Sequence, residues 1–317
     1  MRDISKKIIF ASIGFILLAV LSISIYRFTR KTPEPVAVTA DPVEREREEQ
    51  RGEELALFEE NNKVNSLLKD HSDVTYQYIS YDEDGCELFN ILIVATNEDV
   101  MYMDGAGHTE YLSGGKWIGF DPDTNSVYTM VCVDTDTYKA EWEYLRDSAS
   151  FYFDTLTVTD DIKTKGEYTT VTRSAKISED NIALFQNTWP TLDIGDKFLD
   201  VYTFADGIFV SENYSAVKED GTEIVLGRVL MTLDSGVTMD EGILDAALSE
   251  EQRTLTLGID AGTDESSTLI AKTGIGTEFL FALPEGYENV YMDKECTVLL
   301  ESQDMEDDLE AYIYKSK

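Results

Sequence analysis

The chain has 317 residues, 43% of them hydrophobic and 11% aromatic, with 26 Lys and Arg against 62 Asp and Glu. That apolar share supplies a sizeable core and excludes global disorder. Residues 1–31 hold six of the basic side chains (Arg2, Lys6, Lys7, Arg27, Arg30, Lys31) and one acid, Asp3, so residues 32–317 carry 20 basic and 61 acidic groups, net −41; such a body repels phosphate backbones, which excludes nucleic acid as a partner, and it also repels anionic lipid headgroups.

A short tail, residues 1–7, precedes an apolar run. Residues 8–26 (IIFASIGFILLAVLSISIY) contain no charge and are flanked by Lys6 and Lys7 on one side and by Arg27, Arg30 and Lys31 on the other. At about 1.5 Å per residue the run nearly spans a hydrocarbon core of roughly 30 Å. The spacing predicts a single transmembrane anchor over 8–27, with Tyr26 at the interface. A signal peptide cut after Ser24 is the alternative, but the apolar run continues past that point. No Cys follows, so a lipid anchor is not expected.

Residues 28–54 read as linker and charged stalk. Pro33 and Pro35 favour an extended spacer, and Asp41-Pro42 opens a helix signal before EREREEQRGEE. The remainder, 55–317, reads as one acidic, β-rich domain. Leu57, Phe58, Val64, Leu67 and Leu68 recur at helical spacing and predict a helix that docks on a core, because the heptad is too short for a coiled coil.

From Val74 the texture is that of sheet. VTYQYISY alternates, Asp84-Gly85 marks a turn, and CELFNILIVAT, VMYMDG, GGKWIGFDP and SVYTMVCVD follow as short runs with no helix between them. That pattern predicts an antiparallel meander. A helix is predicted over 138–149 and a short one over 178–186. Strands are predicted at FYFDTLTVT, GEYTTVTRSAKI, DKFLDVYTFA, GIFVSENYSAVK and TEIVLGRVLMTLD. Thr238 and Glu241 form a capping-box pattern for a helix running to near Arg253, and further strands follow to Tyr314. The fold class is α+β, mainly antiparallel β, with a few packing helices.

Catalytic and metal signatures are sparse. Three cysteines, Cys86, Cys132 and Cys296, cannot form a fully paired set; Cys132 reads as a small core hydrophobe, and Cys86 with Cys296 is the remaining possible pair. His71 and His108 have no second ligand nearby in sequence, so no zinc site is expected. Asp121, Asp123 and Asn125 imitate a calcium loop, but Ser126 stands where Gly is required and Cys132 where a bidentate Glu is required, so a hairpin turn is the better reading. No phosphate loop, dinucleotide fingerprint or nucleophile elbow is present. No cofactor and no enzymatic activity are expected.

Two segments carry a family resemblance. In GGKWIGFDPDTNSVYTM (114–130), Gly115, Lys116, Trp117, Phe120, Asp121 and Pro122 resemble the hairpin of LolA/LolB-like lipoprotein carriers, with Phe120 in place of a Tyr. FLFALPEGYENV (279–290) is similar to that family's closing strand. The resemblance implies an incomplete antiparallel half-barrel whose apolar interior holds a lipid or lipidated ligand, or a protein partner in sensor-like relatives. It implies Trp117, Phe120, Tyr128, Met130, Phe279 and Phe281 as interior ligand contacts. It also implies an extracytoplasmic domain at a bacterial cell membrane. The anchor, the greater length and the acidity depart from the carriers, and point to a tethered binder rather than to cargo transfer between two membranes.

Overall fold

A computed structural model describes the chain except residues 1–51, 54, 83, 150–158, 180–181, 187–188, 190–191, 239–240, 301–302, 305–306 and 316–317. The predicted anchor, linker and most of the stalk lie outside the described residues. Among the described residues no helix is long and apolar enough to cross a membrane. Among the described residues two compact units are present: residues 55–177 with 195–317, and a second containing residues 178–194. The second unit contains α-helix Ile182–Gln186, and the Gln186 side-chain amide donates to Leu192 O at 3.0 Å.

The first unit begins with helical residues 55–61 and α1 (Val64–Leu67). The sequence predicts one continuous helix here, whereas the chain breaks at Asn62. Buried Asn62 uses its amide to fasten the break: Nδ2 donates to Phe58 O (2.8 Å) and Gly207 O (3.0 Å), and Oδ1 accepts from Phe209 N (2.7 Å). Phe58 stacks on Phe204 with ring centroids 4.5 Å apart. The helical segment therefore docks on the sheet, as its apolar spacing predicts.

Six strands follow as a meander: β1 (Val74–Tyr81), β2 (Glu87–Ala95), β3 (Val100–Asp104), β4 (Thr109–Ser113), β5 (Lys116–Asp121) and β6 (Ser126–Cys132). Gly107, Gly114 and Gly115 take positive φ in the intervening turns, as a tight hairpin requires. After α2 (Thr135–Ser148) a second meander comprises β7 (Thr159–Lys165), β8 (Tyr168–Lys176), β9 (Lys197–Ala205), β10 (Ile208–Val217) and β11 (Glu223–Leu233). The two meanders join where β1 pairs antiparallel with β11, Val74 opposite Leu233 and Ser80 opposite Gly227.

The last quarter of the chain supplies the further strands its sequence predicts, but outside the order of a meander. The helix predicted to reach Arg253 is shorter, Glu241–Leu248, because the chain turns into β12 (Gln252–Ile259). Strands β13 (Ser267–Gly274), β14 (Glu278–Ala282), β15 (Tyr287–Tyr291), β16 (Gln303–Asp304) and β17 (Leu309–Lys315) complete the unit. β14 and β16 extend the main sheet, giving thirteen strands in the order β16-β14-β6-β5-β4-β3-β2-β1-β11-β10-β9-β8-β7. β13, β12, β17 and β15 form a separate four-stranded sheet. Two pairings, β14 with β6 and β12 with β17, are parallel and the other ladders among the described residues are antiparallel, in keeping with the predicted mainly antiparallel class. The main sheet does not close on itself: β16 and β7 are its edges.

Two clusters of core pack on one face of the main sheet, hereafter the inner face. Ile118, Val94 and Met101 meet Ala247, Ile243 and Leu244 of the short helix. Val131 and Phe279 meet Leu255, Leu257, Val290, Ala311 and Ile313 from the small sheet. Buried Thr129 and Thr273 share a 3.0 Å hydrogen bond between the two layers.

Candidate functional site

Residues directly opposite one another across a ladder share a face. On the face away from the core just described, one row runs Tyr76, Ile93, Tyr102, Glu110, Gly119, Tyr128 across β1 to β6. The adjacent row places Leu112, Trp117 and Met130 together, and a third aligns Tyr78, Val229, Glu212 and Tyr202. This surface, the carboxyl face, carries two acids that the fold shields from water.

Glu110 is the first. Trp117 Nε1 donates to its Oε2 at 3.0 Å and the Tyr128 hydroxyl donates to Oε1 at 3.3 Å. Tyr128 reaches Glu110 by crossing over Gly119: a Cβ at position 119 would lie 1.8 Å from Tyr128 Cζ. Only glycine leaves room for that ring. As a residue Glu110 keeps partial exposure, but its carboxyl is enclosed, and burial pushes its pKa up from 4.5 to about 7 against the pull of the Trp117 and Tyr128 hydrogen bonds. Burial and the Asp104 and Glu110 charges also raise the Tyr102 hydroxyl above its ordinary range.

Glu212 is the second. In register, Glu212 lies opposite Tyr202 and Tyr214 opposite Asp200. The carboxyls of Glu212 and Asp200 hydrogen-bond to each other, and both tyrosines donate to Glu212. Burial, and then the Asp200 charge, pushes Glu212 well above the carboxylate range. A β-bulge between Phe209 and Ser211 makes the arrangement possible, since it sets both Phe209 and Glu212 on the same face. Neither acid stands out in sequence among 62 Asp and Glu; only cross-strand register and the facing Gly119 reveal them.

The six side chains predicted to line one interior are divided between the two faces. Trp117, Tyr128 and Met130 occupy the carboxyl face. Phe120, opposite Val127, and Phe279, opposite Thr129, occupy the inner face, where Phe279 and Phe281 pack against the small sheet. The two segments that carry the family resemblance lie side by side, because β14 pairs with β6.

The calcium-loop imitation at 121–125 is a turn, as its sequence predicts: Asp121 Oδ1 accepts from Asp123 N (2.9 Å) and Thr124 N (3.4 Å), and Asn125 takes φ 51°. The fold brings His108 to this turn from the β3–β4 loop, so that donor atoms of His108, Asp121 and Asp123 lie within 4.8 Å of one another. All three cysteines are free thiols, so the possible Cys86–Cys296 bridge is not formed. Cys132 is half-buried, and burial with the Glu141 and Asp134 charges raises its thiol to about 11, which leaves it unreactive at neutral pH.

No family model matches the chain, and no curated protein matches it.

Proposed function

We propose that this chain is a membrane-tethered, extracytoplasmic binding domain without catalytic activity, which holds an apolar or lipidated ligand against the carboxyl face of an incomplete half-barrel. The reading rests on one observation: an open thirteen-stranded sheet turns a face of large aromatic side chains toward a docked helical segment, and its shielded acids are hydrogen-bonded rather than free. Trp117, Tyr128 and Met130 are the ligand contacts on this reading; Phe120, Phe279 and Phe281 serve the core. The apolar run at 8–26 supports the tether, and the resemblance at 114–130 and 279–290 supports the half-barrel and the extracytoplasmic placement.

A catalytic role is disfavoured by the way the acids are engaged. Glycoside hydrolysis needs two carboxyls roughly 5–9.5 Å apart with a sugar between them, whereas Asp200 and Glu212 are hydrogen-bonded to each other. Glu110 is capped on both oxygens.

The test is native mass spectrometry of residues 42–317, followed by solvent extraction and lipid analysis. A stoichiometric apolar adduct that is lost in Trp117→Ala supports the reading. A clean apo mass after expression in a lipid-replete host overturns it, and favours a cell-surface sensor or protein-interaction module.

A further inference from the structure

The loop between β3 and β4 and the turn between β5 and β6 meet at His108. Asp104 fixes the imidazole: Oδ2 accepts from His108 Nδ1 at 3.0 Å, while Oδ1 accepts from Ala106 N (2.9 Å) and His108 N (3.0 Å). With Nδ1 carrying its hydrogen, the Nε2 lone pair faces Asp121 Oδ1, 3.7 Å away. That gap is too long for a hydrogen bond, which for nitrogen to oxygen spans about 2.7–3.2 Å. It suits two donors that share one ion: at about 2.1 Å each and a tetrahedral to trigonal angle, their separation is roughly 3.4–3.6 Å.

Asp121 holds the second donor in place: its side chain is only 7% exposed, and its Oδ1 is fixed by the N–H groups of Asp123 and Thr124. Asp123, exposed beside it, offers a third donor on the solvent side.

We propose that His108, Asp121 and Asp123 form a divalent transition-metal site, with Asp104 as the carboxylate that orients His108. One imidazole nitrogen and two carboxylates select zinc or a similar ion over calcium, which takes six to eight oxygens. A carboxylate hydrogen-bonded to the distal nitrogen of a ligating histidine is the usual outer shell of such sites. Water completes the coordination on the exposed side.

The test uses the full chain in detergent, stripped with a chelator and dialysed against micromolar zinc chloride, with bound metal counted by elemental mass spectrometry. One zinc ion per chain is expected, retained in millimolar calcium. His108→Gln is expected to weaken zinc binding at least 100-fold and Asp123→Asn at least 10-fold. Asp104→Asn, acting through the imidazole, is expected to weaken it about 10–100-fold. Asp84→Asn, an exposed acid outside the cluster, is expected to change nothing. Cobalt in place of zinc should give a visible absorption spectrum that His108→Gln abolishes. Because Asp123 is exposed, its variant keeps the test decisive even if His108→Gln fails to fold. Zinc held equally by all variants would mean diffuse binding to an acidic surface, and overturns the site. Absence of zinc binding at tens of micromolar also overturns it.

Discussion

Gly119 and Tyr128 show how one missing side chain fixes a site. A methyl group at 119 would occupy the space of the Tyr128 ring, so Gly119→Ala must expel the ring and break its bond to Glu110. Overpacking of this kind costs about 1–3 kcal/mol, and a shielded carboxyl that loses a donor adds about 1 kcal/mol. Urea unfolding should show Gly119→Ala destabilised by about 3 kcal/mol, and the penalty should shrink to under about 1 kcal/mol when Tyr128→Ala is already present. Equal penalties in both backgrounds would refute the contact. Glu110 gives a second residue-scale expectation. Its folded pKa lies above its unfolded value, so protonation favours the folded state. Its stabilising effect is complete below pH 4.5 and is lost as pH rises to about 7. In metal-free protein, Glu110→Gln should therefore gain stability relative to the parent across pH 4.5–7, with the difference constant above that window. Thermal melts at half-unit pH steps check this, and a difference independent of pH would sink it.

At the scale of elements, the break at Asn62 decides how the helical segment sits. One buried amide serves two carbonyls and one N–H, two of these from the β9–β10 turn and the start of β10. Asn62→Ala strands a buried N–H at Phe209 and a carbonyl at Gly207, and each such orphan costs about 1–3 kcal/mol. Stability should fall by about 2–4 kcal/mol, and native-state hydrogen exchange at the Phe209 amide should accelerate more than at the amides of β4. Uniform acceleration would mean global weakening without a local clamp. The apolar spacing of 57–68 identifies this helix and its docking, but a buried Asn looks like any polar residue in sequence, which is why the break was illegible. The hairpins were legible because Gly and Asp punctuate them. The parallel pairings of β14 and β17 were not, since parallel partners need no turn between them and leave no local signal. β1 alternates in sequence yet is buried on neighbouring positions, because helical residues cover one face and core the other. The carboxyl face was legible only in part: Trp117, Tyr128 and Met130 are conspicuous aromatic and apolar residues, whereas Glu110 and Glu212 become special only through what lies across the ladder.

For the whole molecule, charge is the dominant global term. A formal net charge of −36 pushes the compact state apart. Raising sodium chloride from about 0.01 to 0.15 M shortens the screening length from about 30 to 8 Å. The melting temperature should rise by several degrees over that range in the presence of chelator, and a flat response would show that the acids are spaced widely enough to ignore one another. Two meanders, β1–β6 and β7–β11, with short connections except the β8–β9 link over residues 177–196, meet along a single line, β1 against β11. Asp73 caps one end of that line, where its carboxylate accepts from Ser235 N at 3.0 Å and Gly236 N at 3.1 Å. Within each meander nearly every ladder joins neighbours in sequence, so each half can zip quickly once its turns form. Joining them requires closure of a loop of about 160 residues, whose entropy must be lost before any bond across the line repays it. The order of assembly is thereby set by connectivity: two quick local events, then one slow encounter, during which the flanks of β1 and β11 stand open to the wrong neighbour.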